Sequence, residues 1–569
     1  QLPGRASRRL SRGMHSDTSK GTPQPIAYWQ RRLAQLLCLL CVAAYLSSCD
    51  HPSTDSATET TMHAPIIETE QGRAEGYWAK SQQTIRAFKG LPFARPPVGH
   101  LRWRPPEPAQ PWAGVRDATQ PGAACWQAYS DDAFVWTRGE FPRSEDCLYL
   151  NVWAQDTAEP KRPVMVWFHG GAHTGGFGHV DLFDGTALAE LGVVVVTINY
   201  RLGPWGFLAH PALAAESEHN AAGNYGLMDK LAALHWVQSN IAKFGGDPEN
   251  VTIFGQSAGS SSVCALLTSP LSSGLFHKVI GQSAACFNNF SYDANGQERG
   301  RELINRLLPE TESPTADDLR RLDNQDILGA VGASGWALSS RIVVDGYVLP
   351  EPPVQTFREG RQLHLPTVLG STANEGFMLF PVNNALSANA FDDWLAQRYP
   401  GRSDALKAAY AEALTRSPGA AQHAIFTDEF MALSMRSWAG FNDAAEMPTY
   451  LYFMTHVPPA YPIYLDDQPE ISLPGGPRSA GAYHSGDLAF VFNNIGQPSV
   501  AWTSADATLA NLMSRYWTNF AKTGDPNDSD LPDWPRYTRT DQTTLELNVP
   551  PVILEGARRE KLDLLEEDE

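Results

Sequence analysis

The segment Asn250 to Thr268 constrains this chain more than any other. Asn250 to Phe254 (NVTIF) is a short apolar, β-branched run of the kind that forms a strand, and Ser260 to Thr268 has the pattern of a helix. Between them stands only Gly255-Gln256-Ser257-Ala258-Gly259, a G-x-S-x-G sequence. A strand that enters a helix through so short a connection must turn sharply, pushing the serine outward while neighbouring backbone crowds in. Glycines flank the turn because a side chain would not fit there. A turn of this kind belongs to a sheet whose strands feed helices, which is an α/β architecture.

The rest of the chain agrees. Val164 to His169, Val193 to Asn199, a helical stretch Gly226 to Phe244, and then Val251 to Gly255 and Ser260 to Thr268 alternate between strand-like and helical patterns. Phe276 to Gly281, Leu365 to Gly370 and Tyr450 to Met454 continue the strand-like runs. Such alternation predicts a large, mostly parallel central sheet flanked by helices. Val193 to Ile198 (VVVVTI) is apolar and β-branched almost throughout, as a central strand buried on both faces requires. No repeat and no Pro/Ser-rich linker divides residues 64–555, which read as one large domain with insertions. Residues 556–569 read as a solvated acidic tail. With 43% hydrophobic residues the chain is neither disordered nor fibrous. Its formal charge is -19, and no Lys/Arg-rich stripe lies beyond residue 60, so nucleic acid is excluded as a partner.

Residues 1–48 differ in kind. Arg31-Arg32 precedes the apolar run Leu33 to Leu46, too short to span a bilayer of about 30 Å comfortably, and the pair reads as a signal peptide. Leu46-Ser47-Ser48-Cys49 resembles the lipobox of bacterial lipoproteins, in which the Cys is lipidated and becomes the new N-terminus. Residues 49–63 then form a Ser/Thr-rich flexible tether, and the expected location is the periplasmic face of a membrane, with secretion as the alternative. Export permits disulfides. Cys125, Cys147, Cys264 and Cys286 remain beyond the leader and allow three pairings. Cys264 and Cys286 read as a second pair or two buried thiols.

A serine alkoxide attacking a carbonyl needs donors for the oxyanion, and Val164 to Ala172 (VMVWFHGGA) is a strand ending in a glycine pair. Backbone N–H groups of Gly170 and Gly171, with that of Ala258, suit this role. A metal site from His169, His173 and His179 is disfavoured, because the glycines among residues 170–178 prevent a helix from aligning the imidazoles. An acid and a His are expected after the Ser in the chain. Glu375 stands in the loop after the strand Leu365 to Gly370, where α/β sites gather. His423, His456 and His484 follow it; the first two also suit a structural role, whereas His484 sits in the turn-rich Gly481 to Asp487. Gly281-Gln282-Ser283-Ala284-Ala285 is a near-copy of the elbow without its last Gly, so Ser283 reads as a supporting residue.

At these residues the chain resembles the type-B carboxylesterase/lipase family, which includes bacterial carboxylesterases, cholinesterases and the non-catalytic neuroligins. Phe244 to Gly259 (FGGDPENVTIFGQSAG) is similar to its active-site signature and Glu145 to Trp153 (EDCLYLNVW) to its second one. Asn199 to Gly203, Gly223 to Asp229 and Trp517 to Pro526 extend the resemblance over about residues 64–555. It implies the α/β-hydrolase fold with insertion loops over the site, and a triad of Ser257, Glu375 and His484. It also implies oxyanion donors at Gly170, Gly171 and Ala258, a Cys125–Cys147 disulfide and ester hydrolysis without a cofactor or metal. No Cys follows Cys286 in the short loop that the family's second disulfide closes, which leaves that bond absent unless Cys264 substitutes. Cholinesterases carry Glu where this chain has Gln256, and Trp136 is offset by one from their choline-stacking Trp. The expectation is therefore a serine carboxylesterase acting on a small ester. Cholinesterase-like, amidase or lactonase activity and a neuroligin-like binding role are the alternatives.

Overall fold

The computed structural model describes residues 63–566 except 81–83, 130–140, 158–160, 289–291, 294–295, 333–340, 380, 462–472, 474 and 497–499. The leader, Cys49, most of the tether and Trp136 lie outside the described residues. The chain divides into residues 1–63 and a compact unit, 64–569.

The compact unit is built on an 11-stranded sheet. In chain order its strands are β1 Tyr77–Trp78, β2 Ile85–Pro92, β3 Tyr149–Gln155, β4 Arg162–Phe168, β5 Val194–Ile198, β6 Gly246–Gln256, β7 Lys278–Gln282, β8 Thr367–Thr372, β9 Thr449–Met454, β10 Thr543–Leu547 and β11 Val552–Glu555. Across the sheet they run β11-β10-β9-β8-β7-β6-β4-β5-β3-β2-β1. From β10 to β5 every neighbouring pair is parallel. The antiparallel pairings lie toward the two ends of the sheet. The predicted mostly parallel sheet is what is found, with each sequence-predicted strand in place.

Alternation of side chains explains why the central strands are apolar throughout. Val164, Val166 and Phe168 of β4 join one core, while Met165 and Trp167 join the other. The first core includes α1 Tyr225–Asn240, α2 Ala258–Leu266 and α3 Ser434–Ala444; the second includes α4 Ser504–Thr523. All five residues of β5 are buried.

One expectation needs correction. Residues 556–569 are not simply a tail, because Arg559–Leu565 forms a helix, α5, whose Leu562 and Leu565 are buried in a third apolar cluster with Phe391, Leu395 and Ile425. Arg436 of α3 clamps it through Asp563 at 2.5 Å and Glu566 at 2.9 Å. The alternation of acids with leucines, one helical face apart, was the signal for this helix. Of the alternatives open for the remaining cysteines the structure takes the second pair: Cys264 bonds to Cys286, and Cys125 to Cys147 as expected. The Cys264 bond ties α2 to the segment after β7.

Among the described residues no helix is long and apolar enough to cross a membrane.

Candidate active site

The elbow closes as its sequence requires. Ser257 follows β6 at φ 55°, ψ -125°, a strained conformation for a residue with a Cβ, and α2 begins at the next residue. Its N–H donates to Gln282 O at 2.8 Å, so β7 braces the turn. A Cβ on Gly259 would stand 1.9 Å from Phe168 O, and one on Gly255 would stand 2.5 Å from Gly259 C. These glycines let the elbow press against the end of β4, which carries Gly170 and Gly171. The glycine loop and the Ser257 turn are thus packed together by backbone contact. Among the described residues, no backbone hydrogen bond outside the regular elements uses the N–H of Gly170 or Gly171.

Two loops meet beside the elbow. The Asn374 N–H donates to Ala482 O at 2.8 Å and the Ala482 N–H to Asn374 Oδ1 at 3.0 Å, joining the loop after β8 to the turn holding His484. Across this junction His484 Nδ1 lies 2.5 Å from Glu375 Oε2, with both side chains buried. Glu375 Oε1 accepts from the Thr372 N–H at 2.7 Å, which leaves the carboxylate one orientation. A carboxylate can only accept, so Nδ1 carries the proton and Nε2 is the basic nitrogen. Nε2 faces the elbow, 3.2 Å from Nε2 of Gln256, the residue before Ser257.

The rival residues lie in other surroundings. His456 Nε2 lies 2.7 Å from Asp506 Oδ1, and Asp506 also pairs with Arg478 and closes the capping box of α4 with Thr503. Burial pushes the Asp506 carboxyl up, but hydrogen bonds from His456, Arg478 and Thr503 outweigh it and hold it well below the usual range. His423 lies in the helix Pro418–Thr427, with Nε2 about where a Cβ on Gly376 would meet it, at 3.0 Å. Ser283 has φ 57° and donates its N–H to Gly370 O at 2.8 Å, bracing β7 against β8. Of the three histidines considered for a metal, His169 Nδ1 bonds Gly170 O at 2.8 Å and His173 Nε2 lies 3.0 Å from Ser262 Oγ.

The reading of the sequence passed over Asp487, three residues after His484. Fully buried, it accepts from Gln282 Nε2 at 2.8 Å and the Tyr452 hydroxyl at 3.1 Å. Burial raises its pKa to about 6, against the lowering effect of the Gln282 amide, and the Glu375 charge adds to the rise. Its position in the turn that holds His484 was the available signal, but a carboxylate in a turn is ordinarily solvated.

A strand-to-helix serine elbow, a glycine pair beside it and a carboxylate–imidazole pair from two later loops define an α/β-hydrolase. The chain belongs to the carboxylesterase family, whose sequence pattern matches residues 63–565. Among its relatives are the fumonisin B1 esterase of Sphingopyxis macrogoltabida, 35% identical over 85% of this chain and 86% of that protein, and the para-nitrobenzyl esterase of Bacillus subtilis, 34% identical over 88% and 99%. A solved PNB esterase structure superposes with a TM-score of 0.72 at 32% identity, covering 89% of this chain and all of that one. The protein is a carboxylic ester hydrolase.

Proposed function

We propose that Ser257, Glu375 and His484 are the catalytic triad and that Gly170, Gly171 and Ala258 donate to the oxyanion. The observation that carries this reading is the 2.5 Å contact of His484 with Glu375, which leaves Nε2 basic and aimed at the elbow. His484 Nε2 takes the Ser257 hydroxyl proton as Oγ bonds to the ester carbonyl carbon, whose π electrons move to the oxygen. The imidazolium returns that proton to the leaving alcohol, giving an acyl-enzyme. Water, deprotonated by the same nitrogen, then displaces Ser257 and releases the acid. Glu375 stabilises the transient imidazolium. No step calls for a cofactor or a metal ion.

Ser257→Ala is expected to lower kcat on a nitrophenyl ester by about 10⁴-fold or more while the protein stays folded. Ser283→Ala is expected to keep substantial activity, since only its backbone bears on the elbow. A dead Ser283→Ala beside an active Ser257→Ala rejects the assignment.

We also propose that the chain is an exported lipoprotein anchored through Cys49. The two disulfides support an oxidising compartment. Acyl chains contribute about 0.8 kcal/mol per buried methylene, and several on one Cys hold stably. Cys49→Ala should release active enzyme from membranes or stall processing. Wild-type protein that is wholly soluble, with an N-terminus other than residue 49, rejects the anchor and leaves the catalytic reading intact.

A further inference from the structure

Tyr200 and Lys230 take no part in the reaction as described, yet both are buried against the glycine loop. The Tyr200 hydroxyl donates to His169 O at 2.7 Å. Its ring stacks on the His169 imidazole, with centroids 4.3 Å apart and planes 18° apart. Lys230 of α1 places Nζ 3.1 Å from the centre of the same Tyr200 ring, and Nζ also donates to Gly226 O at 3.3 Å. Burial pushes the Lys230 pKa well down. An N–H on Nζ meets the ring face in either charge state, so the contact survives deprotonation.

The consequence lies in peptide geometry. A trans peptide group is planar, so its C=O and N–H point in opposite directions. Fixing the His169 carbonyl therefore fixes the direction of the Gly170 N–H. The next peptide is held the same way, because His169 Nδ1–H donates to Gly170 O and so fixes the Gly171 N–H. Burial, against the raising effect of the hydrogen bond to Gly170 O, lowers the His169 pKa to about 3, so at neutral pH the imidazole is uncharged. A carbonyl only accepts, which puts the single ring proton on Nδ1. A carbonyl that accepts a hydrogen bond also polarises the N–H on its far side.

We propose that Tyr200, with Lys230 seated on its ring, is a positioning pair that aims the Gly170 N–H, and through the stacked His169 the Gly171 N–H, at the ester's developing oxyanion. The proposal rests on the reading of Gly170 and Gly171 as the oxyanion donors. Lys230 restrains the Tyr200 ring from tilting and draws electron density from it, which strengthens the hydroxyl as a donor. Neither residue touches substrate.

The test uses the full chain, as wild type, Tyr200→Phe and Lys230→Met, with an alkyl trifluoromethyl ketone carrying ¹³C at the carbonyl. Ser257 Oγ adds to that carbon, its proton passes to His484, and the former carbonyl oxygen becomes a hemiketal oxyanion in the donors' reach. The ¹³C shift followed against pH reports where that oxygen ionises. Loss of one oxyanion donor costs about 10²- to 10³-fold in kcat, so misaiming one should cost about 10- to 100-fold. Tyr200→Phe should therefore lower kcat by that factor with KM changed less than about twofold, and should raise the pH of hemiketal ionisation by about 1 to 2 units. Lys230→Met should move both in the same direction by less. A Tyr200→Phe enzyme whose kcat falls while the ionisation stays put has lost something other than donor aim, and the proposal fails. Should Tyr200→Phe not fold, Lys230→Met decides alone by the same two readouts. A wild-type hemiketal that stays protonated at neutral pH shows that the donors are misassigned; the positioning role then falls with them, distinguishably from the case in which only the variants are unaffected.

Discussion

At Ser257 a strained backbone, φ 55° with ψ -125°, is maintained because everything around it is over-determined: Gly259 against Phe168 O, the Ser257 N–H on Gln282 O, and α2 beginning one residue later. This much was legible locally, since strand, glycines and helix are contiguous in sequence. The turn-rich Gly481 to Asp487 also favoured His484 over His423 and His456, which equally suit a structural role. Packing separates them. His456 is engaged by Asp506, which itself holds Arg478 and Thr503, whereas His484 faces Glu375 on one side and the elbow on the other. His484→Gln should accordingly lose about 10⁴-fold or more in kcat with little change in thermal stability. His456→Gln should keep most activity but melt at lower temperature, because it leaves Asp506 short of a partner in a buried network. Steady-state kinetics and calorimetry on the two variants check this, and equal loss of activity in both would overturn the distinction.

Among the elements, α4 is framed by its own chemistry: its twenty residues start at the Thr503–Asp506 capping box and stop at Gly524, in the left-handed region at φ 81°. The small helix α5 was missed because its acids dominate the composition, and only contact with Arg436 and the third apolar cluster makes its leucines a buried face. The Cys264–Cys286 bond stood in the sequence only as one of two alternatives, because the approach of these cysteines depends on α2 lying beside β7. They stand 22 residues apart, and constraining such a loop stabilises a chain by about 3 kcal/mol in the entropy model. Cys264→Ala/Cys286→Ala should therefore lower the free energy of unfolding in denaturant by about 2 to 4 kcal/mol, with kcat nearly unchanged because Ser257 is braced by backbone rather than by that bond. A variant as stable as wild type would show that the cross-link adds nothing.

For the whole molecule, burial of ionisable groups couples folding to pH. His169 and His179 are lowered to about 3 and about 4, in both cases chiefly by burial, and Asp487 is raised to about 6, again chiefly by burial. Near pH 5 the unfolded chain protonates both imidazoles and leaves the Asp487 carboxylate charged, while the folded chain does the reverse. Unfolding thus takes up two protons at the histidines and releases one at Asp487, a net uptake of one, so these groups make stability fall as pH drops. Asp487→Asn removes the release, and the fall in unfolding free energy between about pH 6 and 4.5 should steepen by about 1.4 kcal/mol per pH unit. Urea titrations across that range measure the slope, and an unaltered slope would mean that Asp487 is already ionised at pH 5. The same burial marks the boundary of what the amino-acid order discloses. The parallel sheet, the elbow and the glycine pair followed from the sequence alone, because each depends on side-chain period or backbone room over a few adjacent residues. How His484 meets Glu375 and Gln256, 109 and 228 positions away, and which charged groups lose their water were decided only by the tertiary structure, because they depend on residues far apart in the chain sharing one solvent-free space.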